Sequence, residues 1–353
     1  MTQDAATSLV TDPRHSGNPY ARSWIDQLIE WIDRIPGPSW LFYAVALLAF
    51  ALANNAVFWL DGSLATGSFD VVRVIDSVFI VFFVALYLDL NLVASRSFHI
   101  FRPLLKLPES DLRILEFRLT ALPRWLGWLA LLVGIGLGIA SVRSEPSAYR
   151  LDTARTLLPV IYQYAAQIFV IACMAALILQ TIRQLRLVND LHRRASDIDL
   201  FHLAPVHAFA SLTARAGTGL ILFMLFNGVL EASGIPAAPL YVVVAMGVLA
   251  IFVFVMPLLG MRKRLKDEKA RLLTKTNEAI KVTIGRIHNE VSSNKYEKIS
   301  GMTTAINALI AERQLIQGIS TWPWEASTSR GFASTLLLPI VIWLVTRLLG
   351  RFI

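Results

Sequence analysis

Cysteine is nearly missing from this chain: Cys173 stands alone among 353 residues. No intrachain disulfide can form, so the thiol content implies no oxidising compartment. Charge is scarce too. Asp, Glu, Lys and Arg make up 16% of the chain against 55% hydrophobic residues, and the mean hydropathy is +0.56. A soluble chain of this length needs more surface charge than that. The sequence also lacks a glycine-rich phosphate loop, a nucleophile elbow, and a lysine in the middle of an apolar run where a retinal Schiff base would form. Those gaps argue against an enzyme and against any cofactor.

What fills the chain instead is a series of apolar runs. Crossing about 30 Å of hydrocarbon as a helix takes about 20 apolar residues. Seven stretches qualify: Trp40 to Leu60, Val71 to Leu92, Trp125 to Val142, Leu157 to Ile182, Val206 to Leu230, Pro239 to Leu259 and Phe332 to Leu349. The expected fold is all-α, a polytopic membrane helix bundle of about seven transmembrane helices with a cytosolic antiparallel helical hairpin. Residues 1–38 form an N-terminal tail, 39–260 a six-helix transmembrane region, 261–330 the hairpin and 331–353 the seventh span. That last span is the weakest, because Arg347 and Arg351 must snorkel or line water; a re-entrant helix is its alternative. The polar leader before Trp40 is too long for a secretion signal, so the first run reads as a retained span.

Lys and Arg stay on the cytoplasmic side far more often than not, and they orient the chain. With a cytosolic N-terminus, 26 of the 33 basic residues fall in the cytosolic segments 1–38, 94–124, 183–205 and 261–330. Arg143, Arg150 and Arg155 fall in the opposite loops, and Arg347 and Arg351 near the chain's end. The net charge of +8 is therefore a topology signal. Its expected partner is the lipid bilayer with its anionic headgroups, not nucleic acid. The expected residence is the cell membrane, with the N-terminus and residues 261–330 in the cytosol.

Three polar segments carry helical periodicity. In residues 22–35, Trp24, Leu28, Trp31, Ile32 and Ile35 recur on one side, with Arg22, Asp26, Glu30, Asp33 and Arg34 on the other. That pattern predicts an amphipathic helix in the membrane interface, ended by Pro36, Gly37 and Pro38. In the first long loop, Leu112, Leu115, Leu119 and Leu122 form a stripe behind a Ser110 cap. Beyond Arg262 the sixth run continues into polar sequence with Leu273, Ile280, Ile284, Ile287 and Val291 in register. After Ser292, Ser293 and Asn294 a second series follows: Ile299, Met302, Ile306, Leu309 and Ile316. Two such helices fold back as an antiparallel pair. A pair that narrow cannot bury its own stripe, so it should pack on other cytosolic elements or on another protomer. A homo-oligomer is expected, a tetramer among the options.

Polar side chains inside apolar runs are expensive in lipid and must face protein or water. These are Asn54 and Asn55 in the first run, Arg73, Asp76 and Asp89 in the second, Gln163 and Gln167 in the fourth, and Arg215 and Asn227 in the fifth. Arg73 and Asp76 are three apart and suit an ion pair on one helix face. Gln163 and Gln167 are four apart and suit amide bonds between helices. Ala130, Gly134 and Gly138 make a small-residue stripe, which argues for close helix packing. Asp197, Asp199, His202 and His207 match no metal-ligand spacing, so no metal site is expected. His288 lies on a helix with no nucleotide-binding domain after it, and reads as a solvated residue.

The stretch Leu200-Phe201-His202-Leu203-Ala204-Pro205, the run Leu212-Thr213-Ala214-Arg215, and Trp322-Pro323-Trp324 followed by Arg330-Gly331-Phe332 resemble a family of uncharacterised prokaryotic multi-pass membrane proteins. That resemblance implies an architecture and no activity. In topology alone, the chain is similar to the insect chemoreceptor channels. That likeness implies that the hairpin anchors an oligomer and that the last span lines a pore. Pro339 would kink that span, and Thr335, Thr346, Arg347 and Arg351 become candidate pore or gate residues. A homo-oligomeric ion channel or channel-like receptor is the leading expectation. A membrane signalling scaffold acting through the hairpin, and a secondary transporter, are the alternatives.

Overall fold

A computed structural model describes residues 19–144, 146, 147, 149, 151–194, 208–232, 240–292, 299–321, 331 and 334. The described residues are helical, with no strand and one isolated bridge between Arg22 and Pro123. In chain order the helices are α1 (Trp24–Asp33), α2 (Ser39–Asp61), α3 (Val71–Phe101), α4 (Glu109–Thr120), α5 (Arg124–Ser144), α6 (Leu157–Arg194), α7 (Ala210–Ala232), α8 (Leu240–Ser292) and α9 (Ile299–Gly318).

Five stretches are long and apolar enough to cross a membrane: Trp40–Asp61, Val71–Leu104, Arg124–Ser144, Leu157–Arg193 and Ala210–Asn227. They fall on the first five apolar runs of the sequence. The helices of an integral membrane protein are therefore present. Helix α8 starts inside the sixth run and continues without a break to Ser292. The seventh run lies outside the described residues except for Ser334. Apolar side chains point outward along these spans, with Leu48, Leu132 and Ile161 each more than 60% exposed. Rows of that kind are liabilities in water and matched to lipid.

Local chemistry sets the helix ends. Ser23 and Asp26 form a capping box at the start of α1. Gly62 ends α2 in the left-handed region, φ 72°, where a side chain would be strained. Pro159 sits in the first turn of α6, where its missing N–H is no loss. From Trp40 to Trp59, α2 rises about 28 Å, so its two indoles bracket one hydrocarbon thickness.

Contacts divide the chain into two units, residues 1–91 with 107–180, and 92–106 with 181–353. The first unit packs around Phe58, Phe83, Tyr87, Leu119, Leu122 and Ala172, all nearly or fully buried. Helices α5 and α6 approach closely at the small-residue stripe. A Cβ on Gly134 would lie 2.7 Å from both the Ala172 Cβ and the Ile168 carbonyl oxygen, and one on Gly138 would lie 2.9 Å from the Ile168 Cα. Only glycine allows backbones that near.

In the second unit, buried His192 meets Phe101 and Phe209 edge-on, with ring centroids 5.2 and 5.6 Å away. The Ser97 hydroxyl donates to the Ala208 carbonyl at 2.7 Å. The Arg264 guanidinium, from α8, donates to the carbonyls of His192 and Arg193 at the end of α6, where a cation suits the helix dipole. Helices α8 and α9 run antiparallel. Lys269 Nζ donates to the Gln317 and Ile319 carbonyls, both at 2.7 Å, and Thr276 donates to Glu312 at 3.3 Å.

Candidate functional site

Polar side chains gather where α2, α3 and α6 meet. Asn54, Asn55, Asp70, Arg73, Ser77 and Gln163 are all at most 6% exposed. Asn55 donates to the Ala51 carbonyl at 2.8 Å and accepts the Asp70 N–H at 2.9 Å. Asn54 donates to the Arg73 carbonyl at 2.9 Å, which also accepts from Ser77 at 3.0 Å. Asp70 receives the Val72 N–H at 3.2 Å and so caps the start of α3. Two asparagines of α2 thus clamp the first turn of α3.

Arg73 also has an acid beside it that the sequence reading did not single out. Arg73 Nε lies 3.5 Å from Asp70 Oδ2, and its guanidinium sits 3.0 Å from the centre of the Phe58 ring. Asp76 accepts from Gln163 Nε2 at 3.1 Å, across to α6. The sequence spacing could not separate the two choices, because Asp70 and Asp76 both stand three residues from Arg73. What decides is where the helix begins: Asp70 is the cap, and its carboxylate already faces the first turn. Phe58 carries no sequence signal for this role, since an aromatic in an apolar run reads as packing. The cluster holds two carboxylates and one guanidinium in an apolar setting. Asp76, half-buried, is the more exposed of the two carboxylates.

A second polar centre lies under α1. Asp26, expected on the wet face, is 5% exposed. Its Oδ1 accepts from the Tyr87 hydroxyl at 2.8 Å, and its Oδ2 accepts from the Ser23 hydroxyl at 2.7 Å and the Leu122 N–H at 2.9 Å. Burial pushes the Asp26 carboxyl up, against the lowering by its hydrogen bonds to Ser23, Tyr87 and Leu122. The α1 helix is therefore turned relative to its sequence pattern: Ile25, Ile29 and Ile32 face inward, while Trp31 is 57% exposed. Residues 20–24 are fastened to the start of α5 as well. Tyr20 donates to the Ala121 carbonyl at 2.8 Å, Ser23 N–H to Leu122 at 3.0 Å, and Trp24 Nε1 to Gly127 at 2.9 Å. A fourth carboxylate, Asp61, takes the N–H groups of Arg155 and Thr156 at 2.8 and 2.6 Å, tying the end of α2 to the start of α6.

Gln167 and Asp89 are half-buried. Arg215 is exposed, and Asn227 donates locally to the Phe223 carbonyl at 2.8 Å. Asp197, Asp199, His202 and His207, the Leu200–Pro205 stretch and Trp322–Arg330 lie outside the described residues, as do Thr335, Pro339, Thr346, Arg347 and Arg351. Among the described residues, no group of His, Cys, Asp or Glu is arranged to hold a metal.

No family model matches the chain, and neither a curated protein nor a solved structure matches it.

Proposed function

We propose that this chain is a homo-oligomeric, channel-like receptor of the cell membrane, with the N-terminus and residues 261–330 in the cytosol and the seventh span, 332–349, lining a central path. The observation that carries it is the uncovered side of the α8–α9 pair. Ile284 and Val291, seven residues apart on one side of α8, and Leu315 on α9 are exposed there, Leu315 by 66%. A groove of about 560 Å³ lies beside it, lined by Ala311, Gln314, Leu315, Gly318 and Ile319. Aliphatic side chains beyond the hydrocarbon need a protein cover, and a second copy of the same pair presents the same surface. Oligomers of that kind bring their last spans to a common axis, where Thr335, Thr346, Arg347 and Arg351 would meet water and ions.

The test is mass and conductance together. In nanodiscs the wild type is expected to be larger than one protomer, and Ile284→Glu combined with Leu315→Glu to reduce it to one. Arg347→Ala is expected to change ion selectivity in planar bilayers. A wild-type monomer, or selective currents untouched by Arg347→Ala, would overturn the reading. The same uncovered side also suits a soluble partner, which is the scaffold reading; monomeric protein that captures a defined partner on residues 262–320 would favour it. The Asp76–Gln163 contact favours a secondary transporter in one respect, since charged groups inside spans often mark substrate paths. Loss of proton-coupled uptake in Asp76→Asn would support that alternative.

A further inference from the structure

Tryptophans and arginines collect where α1 crosses the starts of α2 and α5. Trp31, Trp40, Trp125 and Trp128 are 57%, 69%, 66% and 53% exposed. The neighbouring Trp24 donates to the Gly127 carbonyl, as Trp59 does to the Ser68 carbonyl at the far end of α2, whereas among the described residues these four N–H groups find no acceptor. The arginines divide the same way. Arg22 pairs with Glu30 and lies over Phe117, and Arg113 pairs with Glu109. Arg34 and Arg124 are exposed, with no carboxylate partner among the described residues.

Geometry puts these groups on one strip. The Arg124 N–H donates to the Ala21 carbonyl at 3.0 Å, so the start of α5 lies against the start of α1. At the other end Trp31 packs on Phe42 of α2, ring centroids 6.3 Å apart. Ten residues of α1 cover about 15 Å between them. Both spans enter hydrocarbon at this level, which is where phospholipid phosphates lie. Of the acids on α1, Asp26 is held by Ser23, Tyr87 and Leu122 and Glu30 by Arg22. Asp33 is exposed next to Arg34 and weakens that end, leaving Arg124 the stronger cation.

We propose that this strip binds the phosphates of anionic phospholipids, one at each end: Arg124 supplies charge beside the indole N–H groups of Trp125 and Trp128, and Arg34 beside those of Trp31 and Trp40. A headgroup without its own ammonium leaves the phosphate free for the guanidinium, so phosphatidylglycerol is favoured over phosphatidylcholine. The site rests on α1 and the starts of α2 and α5, and is independent of the channel reading.

The full-length protein is purified in detergent, incubated with vesicles of phosphatidylcholine with or without phosphatidylglycerol, and examined for retained lipid by native mass spectrometry. Wild type is expected to retain phosphatidylglycerol preferentially. Arg124→Gln should retain about fivefold less, from about 1 kcal/mol per basic residue at an anionic surface, and Arg34→Gln less markedly so. Arg113→Gln, on α4 and already paired, should match wild type. Equal retention of the two lipids by wild type overturns the site without any variant. Retention unchanged in the Arg34→Gln, Arg124→Gln double variant does so too. Displacement of the lipid by inorganic phosphate at equal concentration would show a free-anion site instead.

Discussion

Asp26 accepts from a serine hydroxyl, a tyrosine hydroxyl and a backbone N–H contributed from three parts of the chain. Replacing it with Ala strands those donors in a buried place, and about 3 kcal/mol of stability should go with it. Asp26→Asn is the more informative change. Because burial raises the carboxyl's pKa in the folded protein, the folded state holds the proton more tightly than the unfolded one. Its contribution is therefore greatest at low pH, and it is lost as pH rises from the ordinary carboxylate range through the raised value. Asn does not titrate. The melting temperature of wild type should accordingly fall relative to Asp26→Asn across that window, measured by thermal unfolding in detergent; parallel curves would refute the raised pKa. Sequence periodicity placed Asp26 in water because it sees only neighbours along α1. Its partners Tyr87 and Leu122 stand 61 and 96 residues away, beyond any local pattern.

Elements were far more legible than partners. Of the seven apolar runs, the first five are helices long and apolar enough to span, because lipid demands length and composition and both are written in the sequence. The contact between α5 and α6 was also readable, since Gly134 and Gly138 with Ala130 fall on one helical face and mean little except close approach. Gly134→Leu would drive a side chain into the Ile168 carbonyl and Ala172, neither of which can retreat, and should cost about 3 kcal/mol. Gly136 provides the control. Nothing lies within 4 Å of a Cβ built there, so Gly136→Leu should unfold at the wild-type temperature. Equal losses in the two variants would show that glycine's backbone freedom, and not helix proximity, is what matters. The polar cluster at Asn54, Asn55 and Arg73 was only half readable. The sequence showed that these groups needed partners; it could not show that Asp70, outside the run, was one of them.

At the scale of the whole molecule, the distribution of Lys and Arg predicts which side of the bilayer each connection occupies. A thiol introduced by His288→Cys, an exposed position on α8, reads this directly. Cys173 is fully buried and should stay silent toward a membrane-impermeant maleimide. Intact cells are expected to show no labelling until they are permeabilised, and labelling from outside would reverse the orientation. Hydropathy located the five candidate spans; the order in which helices neighbour one another was not legible in it, because lipid-facing and protein-facing leucines look alike in a sequence.

Helix α8 runs 53 residues from Leu240 to Ser292, a rod of about 80 Å, with its first part apolar and its remainder polar. Such a rod acts as a lever. A small tilt of its apolar first part becomes a displacement of many ångströms at its far end, and a push at the far end returns as torque on that apolar part. Pro257, which breaks one rung of the hydrogen-bond ladder, marks the fulcrum at which that torque would be absorbed or passed on.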